Sequence, residues 1–229
     1  MGYRFVYYDT ETTGLRPETE KIIELAFYDP EREKTKSWFI NPKKPIPAEA
    51  TAVHNITDAM VQDAPTFDIV AQEMVEFLDG DVALVAHNNI SFDKRFLEAE
   101  FKNADIALPD YQYIDTLHWA RKYRPDLPRH TLQYLREIYG VEANQAHRAL
   151  DDVIVLHKVF SKMIDDISCD GVIELLKKRN EKTMPWGKHQ GKELKDVPKG
   201  YIQWLHKSGA FEREENQTLF EEFSKLNMV

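Results

Sequence analysis

The sequence predicts an α/β fold: a mixed sheet flanked by helices, followed by a small C-terminal module. Strand-like apolar runs come first and close together, at residues 5–8, 22–28 and 37–40. Later strand-like runs alternate with helical spacing, the pattern of helices packed on a sheet. The length of 229 residues is one typical domain of roughly 150 plus a remainder, so one full domain with an appendage is expected.

In chain order, the run at residues 5–8 is a strand, ended by the turn chemistry of Thr12, Thr13 and Gly14. The next two runs continue it as an antiparallel meander. Pro42, Pro45 and Pro47 mark a loop, after which Ile69, Met74, Phe77 and Leu78 recur at helical spacing. Residues 82–86 form a short buried strand, 92–101 a helix and 113–115 another short strand. A helix over 131–139 closes at Gly140, since glycine tolerates the left-handed conformation that ends helices. A longer helix covers 149–164. The first domain is expected to span 1–165, a short helix and linker 166–183, and the second unit 184–229.

Lys plus Arg number 30 and Asp plus Glu 39, a net charge of −9. That figure alone argues against a nucleic-acid partner, because phosphate binding usually shows as a basic excess. Residues 181–229 hold eight bases and eight acids, so the entire excess lies before them. A single cysteine, Cys169, excludes an internal disulfide and fits a reducing compartment, so a cytoplasmic location is expected. No run approaches the roughly 20 apolar residues of a membrane helix and no signal peptide precedes the first strand, so no membrane association is expected.

The chemistry-bearing residues are acids. Asp9 and Glu11 end the first strand two residues apart, and the period of two points both to one side. Such a pair repels itself unless a hard cation with oxygen ligands sits between. Asp93 precedes Phe96 and Leu97 by three and four residues, which places it on the apolar stripe of its helix. From Asp152 the helical steps land on Leu156, Val159, Phe160 and Met163; from Asp151 they meet Lys158 and Lys162. Asp152 therefore faces the sheet. His147 lies five residues earlier, about 140° away on a regular helix. To share a site with Asp152 it must sit on the loop or first turn before that helix.

Asp9-Thr10-Glu11, then Phe92-Asp93, then His147 separated by four residues from Asp152 resemble, in order and spacing, the motifs of the DEDDh (DnaQ-like) 3′-5′ exonucleases. The resemblance covers about residues 3 to 165. It implies a ribonuclease H-like fold, two divalent metal ions (Mg²⁺ or Mn²⁺), and hydrolysis at the 3′ ends of DNA, single-stranded or frayed duplex, with release of 5′-nucleoside monophosphates in repair or replication. RNA as a substrate, and a polymerase or a second copy as a partner, stay open, as does a non-catalytic nucleic-acid binding role. By the resemblance Asp9, Glu11, Asp93 and Asp152 are the metal ligands, Asp9 bridging, and His147 is the general base. Its unperturbed pKa near 6.5 suits it to accept a proton at neutral pH. The resemblance further implies that Thr12, Thr13, Gly14, Leu15, Glu49, His54 and Asn89 contact substrate. The family often places a histidine directly before one asparagine. His87-Asn88-Asn89 has one residue more, as in an exonuclease I-like variant, which leaves open which asparagine orients the substrate.

Met184 to Lys192 and Val197 to Leu205 resemble the small C-terminal module of exonuclease X-like proteins. Gly187 and Gly191 suggest a tight hairpin. Lys188, His189, Lys192, Lys195 and Lys199 beside Trp186, Tyr201 and Trp204 suit single-strand binding, although such aromatics also serve as the core of a small module.

Overall fold

The computed structural model describes residues 2–142, 149–177, 183–212 and 216–229. The chain divides into two compact units, Met1–Ile173 and Glu174–Val229.

The first unit is built on β1 (Arg4–Thr12), β2 (Ile22–Asp29), β3 (Lys34–Phe39), β4 (Val82–Ala86) and β5 (Gln112–Asp115). They form one sheet in the order β3-β2-β1-β4-β5. β1, β2 and β3 pair antiparallel as the expected meander, whereas β4 and β5 run parallel to β1. A parallel neighbour needs a crossover. That crossover carries α1 (Ala48–His54), α2 (Asp58–Val61) and α3 (Phe67–Phe77). α4 (Asp93–Asn103) then leads to β5, followed by α5 (Thr116–Tyr123), α6 (Leu132–Ile138), α7 (Ala149–Ile164) and α8 (Cys169–Lys177).

Both faces of the sheet are covered, which explains why β4 reads as an unbroken apolar run with every residue buried. Val6, Tyr8, Leu25 and Phe27 point into one layer, packed by Val70 and Met74 of α3 and Phe96, Leu97 and Phe101 of α4. Phe5 and Tyr7 point the other way, onto Phe160 of α7, which Trp119 of α5 also meets. The alternation continues along β1, so Asp9 and Glu11 share the α7 face while Thr10 shares the α4 face. The parallel strands also bring the ends of β1, β4 and β5 to one edge, where open α/β sheets gather their ligands.

The second unit begins inside α8, at Glu174, and further along forms a hairpin-like turn. Met184 donates its N–H to the Lys192 carbonyl at 2.8 Å, and Gly191 returns one to Met184 at 2.8 Å. Gly187 and Gly191 take φ of +81° and +79°, a region other residues rarely adopt, as the two glycines suggested. α9 (Lys199–Lys207) and α10 (Gln217–Lys225) close a core that includes Met184, Leu194, Ile202, Leu205 and Phe223. Among the described residues, no helix is long and apolar enough to cross a membrane.

Candidate active site

Asp9 and Glu11 leave β1 toward α7, and Asp152 enters from the first turn of that helix. Each can offer a carboxylate oxygen such that all three atoms lie within 4.8 Å of one another. α7 is held to the sheet by its apolar face, Val153, Leu156, Val159 and Phe160 being buried, which fixes Asp152 over β1. Asp93 begins α4 on the opposite layer, and its Oδ1 accepts the Thr10 hydroxyl at 2.7 Å. It is thus fixed at the edge of the cluster, close enough that its charge is the strongest single influence on Asp9 after burial.

Electrostatically the cluster is under strain. Burial pushes Asp9 well above the usual carboxylate range, and Asp93, Glu11, Asp152 and Glu24 push it further. Burial raises Glu11 to about 7, with Asp152, Glu24 and Asp93 adding to it. Asp93 also rises to about 7, through burial, against the opposing effect of the Thr10 hydroxyl. The charges that raise Asp9 and Glu11 are all carboxylates, on oxygen donors spaced for a shared ion. The donor set therefore fits hard divalent cations, which take oxygen ligands and offset such repulsion.

This predicts a pH dependence for the metal-free protein. Glu11 and Asp93 keep their protons in the fold after the unfolded chain, at ordinary values of 4.5 and 3.8, has ionised. Stability from these groups is full below about pH 4 and is lost as the pH rises through about 7. The melting midpoint in EDTA should be roughly 5–10 °C lower at about pH 8 than at about pH 5, and Mg²⁺ should reverse the loss at the higher pH. A midpoint that climbs with pH in EDTA would contradict this account.

Glu24, which the sequence reading missed, is buried on β2 directly opposite Glu11. It accepts the N–H of Ala149 at 3.5 Å, tying the start of α7 to the sheet. Asp115 is the other missed residue. Its carboxylate accepts N–H groups of Asn88, Ile90, Leu117 and His118 at 3.0–3.2 Å, so it caps α5 and fixes the turn that delivers Asp93.

The turn after β1 is pinned by its own threonines. Thr12 donates its hydroxyl to the Gly14 carbonyl at 2.6 Å, and Thr13 donates to Glu20 at 2.5 Å. A Cβ on Gly14 would sit 2.9 Å from Glu20 Cγ, so a side chain there would displace the Glu20 carboxylate that Thr13 holds. Leu15 stands 82 % exposed at the tip. His54 is buried, and its Nδ1 accepts the Ile56 N–H at 3.0 Å, which puts its proton on Nε2. That nitrogen is buried without a hydrogen-bond partner among the described residues, and the Thr12 backbone works against the burial that lowers the His54 pKa. Glu49 is exposed in the first turn of α1. His147 lies outside the described residues.

Asn89 departs from the expected contact with substrate. It is fully buried, donates both amide hydrogens to the Leu84 and Ile114 carbonyls at 3.0 Å, and accepts from the Tyr8 hydroxyl. It joins β1, β4 and β5 internally. Asn88 is half-buried, with φ +68°, and is the more accessible of the two.

A mixed sheet clad on both faces, with acids converging at the end of its central strand, is a ribonuclease H-like fold. A family model described as "Exonuclease" matches residues 6–160, and the chain belongs to that family. A second model, "Putative quorum-sensing-regulated virulence factor", matches residues 173–223. The chain is 33% identical over 171 residues to a DNA polymerase III PolC-type of Caldanaerobacter subterraneus subsp. tengcongensis and 34% over 172 to one of Staphylococcus aureus. These matches cover 73% and 74% of this chain but 12% of each relative's length. In fold it is similar to E. coli exonuclease I in complex with a dA16 oligonucleotide, with TM-score 0.65, 19% identity, and 78% of this chain and 44% of that one covered. It is likewise similar to exonuclease X in complex with 5′ overhanging duplex DNA, with TM-score 0.59, 24% identity, and 75% and 99% covered.

Proposed function

We propose that the protein is a metal-dependent 3′-5′ exonuclease that removes 5′-nucleoside monophosphates from DNA ends. The observation that carries this reading is the convergence of Asp9, Glu11 and Asp152, with Asp93 at its edge, where β1 ends. In it, these four acids hold two divalent cations, Mg²⁺ or Mn²⁺. When bound, the cations supply Lewis-acid stabilisation of charge on the oxygens of an in-line displacement at phosphorus.

The chain's own residues then divide the remaining work. A ring nitrogen of His147 takes the proton from the attacking water. Leu15, exposed on a turn that Thr12, Thr13 and Gly14 hold rigid, packs on the terminal base. His54 offers its Nε2 proton beside that turn, Glu49 lies on the same helix, and Asn88 replaces Asn89 as the amide facing substrate. Residues 1–165 carry the chemistry, and 184–229 form a module that raises affinity. Buried, free Cys169 fits the reducing cytoplasm. The PolC-type relatives favour a second reading, proofreading beside a polymerase.

Labelled single-stranded DNA, frayed duplex and RNA, each incubated with Mg²⁺ or EDTA, test this proposal. The expected result is a ladder shortening from the 3′ end of DNA in Mg²⁺ alone. Internal cuts, or hydrolysis that persists in EDTA, would overturn it; shortening of RNA alone would replace the substrate.

A further inference from the structure

Trp204 on α9 is 58 % exposed and lies outside the core of its unit, since Ile202 and Leu205 occupy the buried face of the same helix. Its exposed ring is nonetheless not isolated. Tyr201, one turn earlier, stacks on it with centroids 5.5 Å apart and planes 23° from parallel. His189 meets Tyr201 edge-on at 4.6 Å. The glycine turn closes against this row: a Cβ on Gly187 would lie 2.5 Å from the Tyr201 hydroxyl. That turn carries Lys188 and Lys192, both exposed, and Lys207 follows Trp204 by three residues on the helix. Lys195, by contrast, is engaged by Glu193 at 2.7 Å.

We propose that His189, Tyr201 and Trp204 form a stacking platform for single-stranded nucleic acid, with Lys188, Lys192 and Lys207 as its phosphate contacts. Every nucleobase offers a π-face, and cations beside the rings complement the backbone that links the bases. An apolar helix or a lipid surface would call for a broad hydrophobic groove instead of a narrow row of rings edged with lysines. The choice of ligand rests on the nuclease reading above, and the module thereby gains a role in holding the strand while chemistry occurs elsewhere.

The test uses the full chain in EDTA, where hydrolysis is silent and binding alone is read. Anisotropy of labelled oligo(dT), oligo(U) and a blunt DNA hairpin is followed for wild type, Trp204→Ala, Trp204→Phe and the pair Lys188→Glu, Lys192→Glu. Trp204→Ala is expected to weaken binding of the preferred single strand about tenfold, and Trp204→Phe to recover most of it. The lysine pair is expected to weaken binding and flatten its salt dependence. In Mg²⁺, Trp204→Ala should raise KM for a long strand and leave kcat unchanged. Unchanged binding by Trp204→Ala with an unaltered melting curve, or equal affinity for the blunt hairpin, would overturn the platform. If the platform variants behave as expected but no strand is shortened in Mg²⁺, the platform stands and the nuclease reading falls.

Discussion

Asp9→Asn is expected to lower kcat on a 3′-ended DNA strand by roughly a thousandfold or more, the scale lost when an electrostatic element at a transition state is removed. The same substitution should raise the melting midpoint of the metal-free protein at about pH 8. Both effects come from one cause. Asp9 is pushed far above its ordinary range by burial and by Asp93, Glu11, Asp152 and Glu24, so its charge costs the fold stability. The neutral amide removes that cost and, under the proposed chemistry, also removes a carboxylate ligand of the cations. Single-turnover hydrolysis in Mg²⁺ and thermal melting in EDTA read the two halves separately. Activity above a few percent of wild type would contradict the catalytic role; a lower midpoint would contradict the repulsion.

His147→Ala is expected to lower kcat by about 10²–10⁴, the range for loss of a general base. The acid-side fall of kcat/KM should change shape with it, leaving the part that protonation of Glu11 and Asp93, both raised to about 7, contributes. Imidazole added to the variant should restore part of the rate. This expectation rests on the family resemblance, which assigns His147 that role. A variant with full activity and an unchanged pH profile would remove His147 from the mechanism.

The acids were legible in the sequence because each carried a local periodic signal. The period of two paired Asp9 with Glu11, and the helical stripe separated Asp152 from Asp151. Glu24 carried no such signal: within Ile22-Ile23-Glu24-Leu25 it is one acid in an apolar strand, and its meaning comes from lying opposite Glu11 across the ladder. Asp115 was hidden for a similar reason, since two of the N–H groups it accepts, those of Asn88 and Ile90, lie 27 and 25 residues away in sequence. Nor could the sequence tell which asparagine would turn inward, because that depends on the carbonyls of Leu84 and Ile114.

The meander, β4, β5, α3, α4 and α7 were also anticipated, each from a run long or apolar enough to show a period, and α6 from the glycine that closes it, Gly140. α1 and α2 were not, at seven and four residues, too short for helical periodicity to repeat. α5 was missed because Trp119 and Ala120 are its only buried apolar residues, and its start is set by the Asp115 cap.

The two-sided approach to β1 has a consequence for the chain during synthesis. Asp9 and Glu11 emerge early, and Asp93 joins from one layer, but Asp152 arrives only when α7 has been made and has docked on the other. Under the proposed chemistry, a nascent or truncated polypeptide ending before that helix is harmless to the nucleic acid around it. On that reading, hydrolysis waits until the domain is nearly whole.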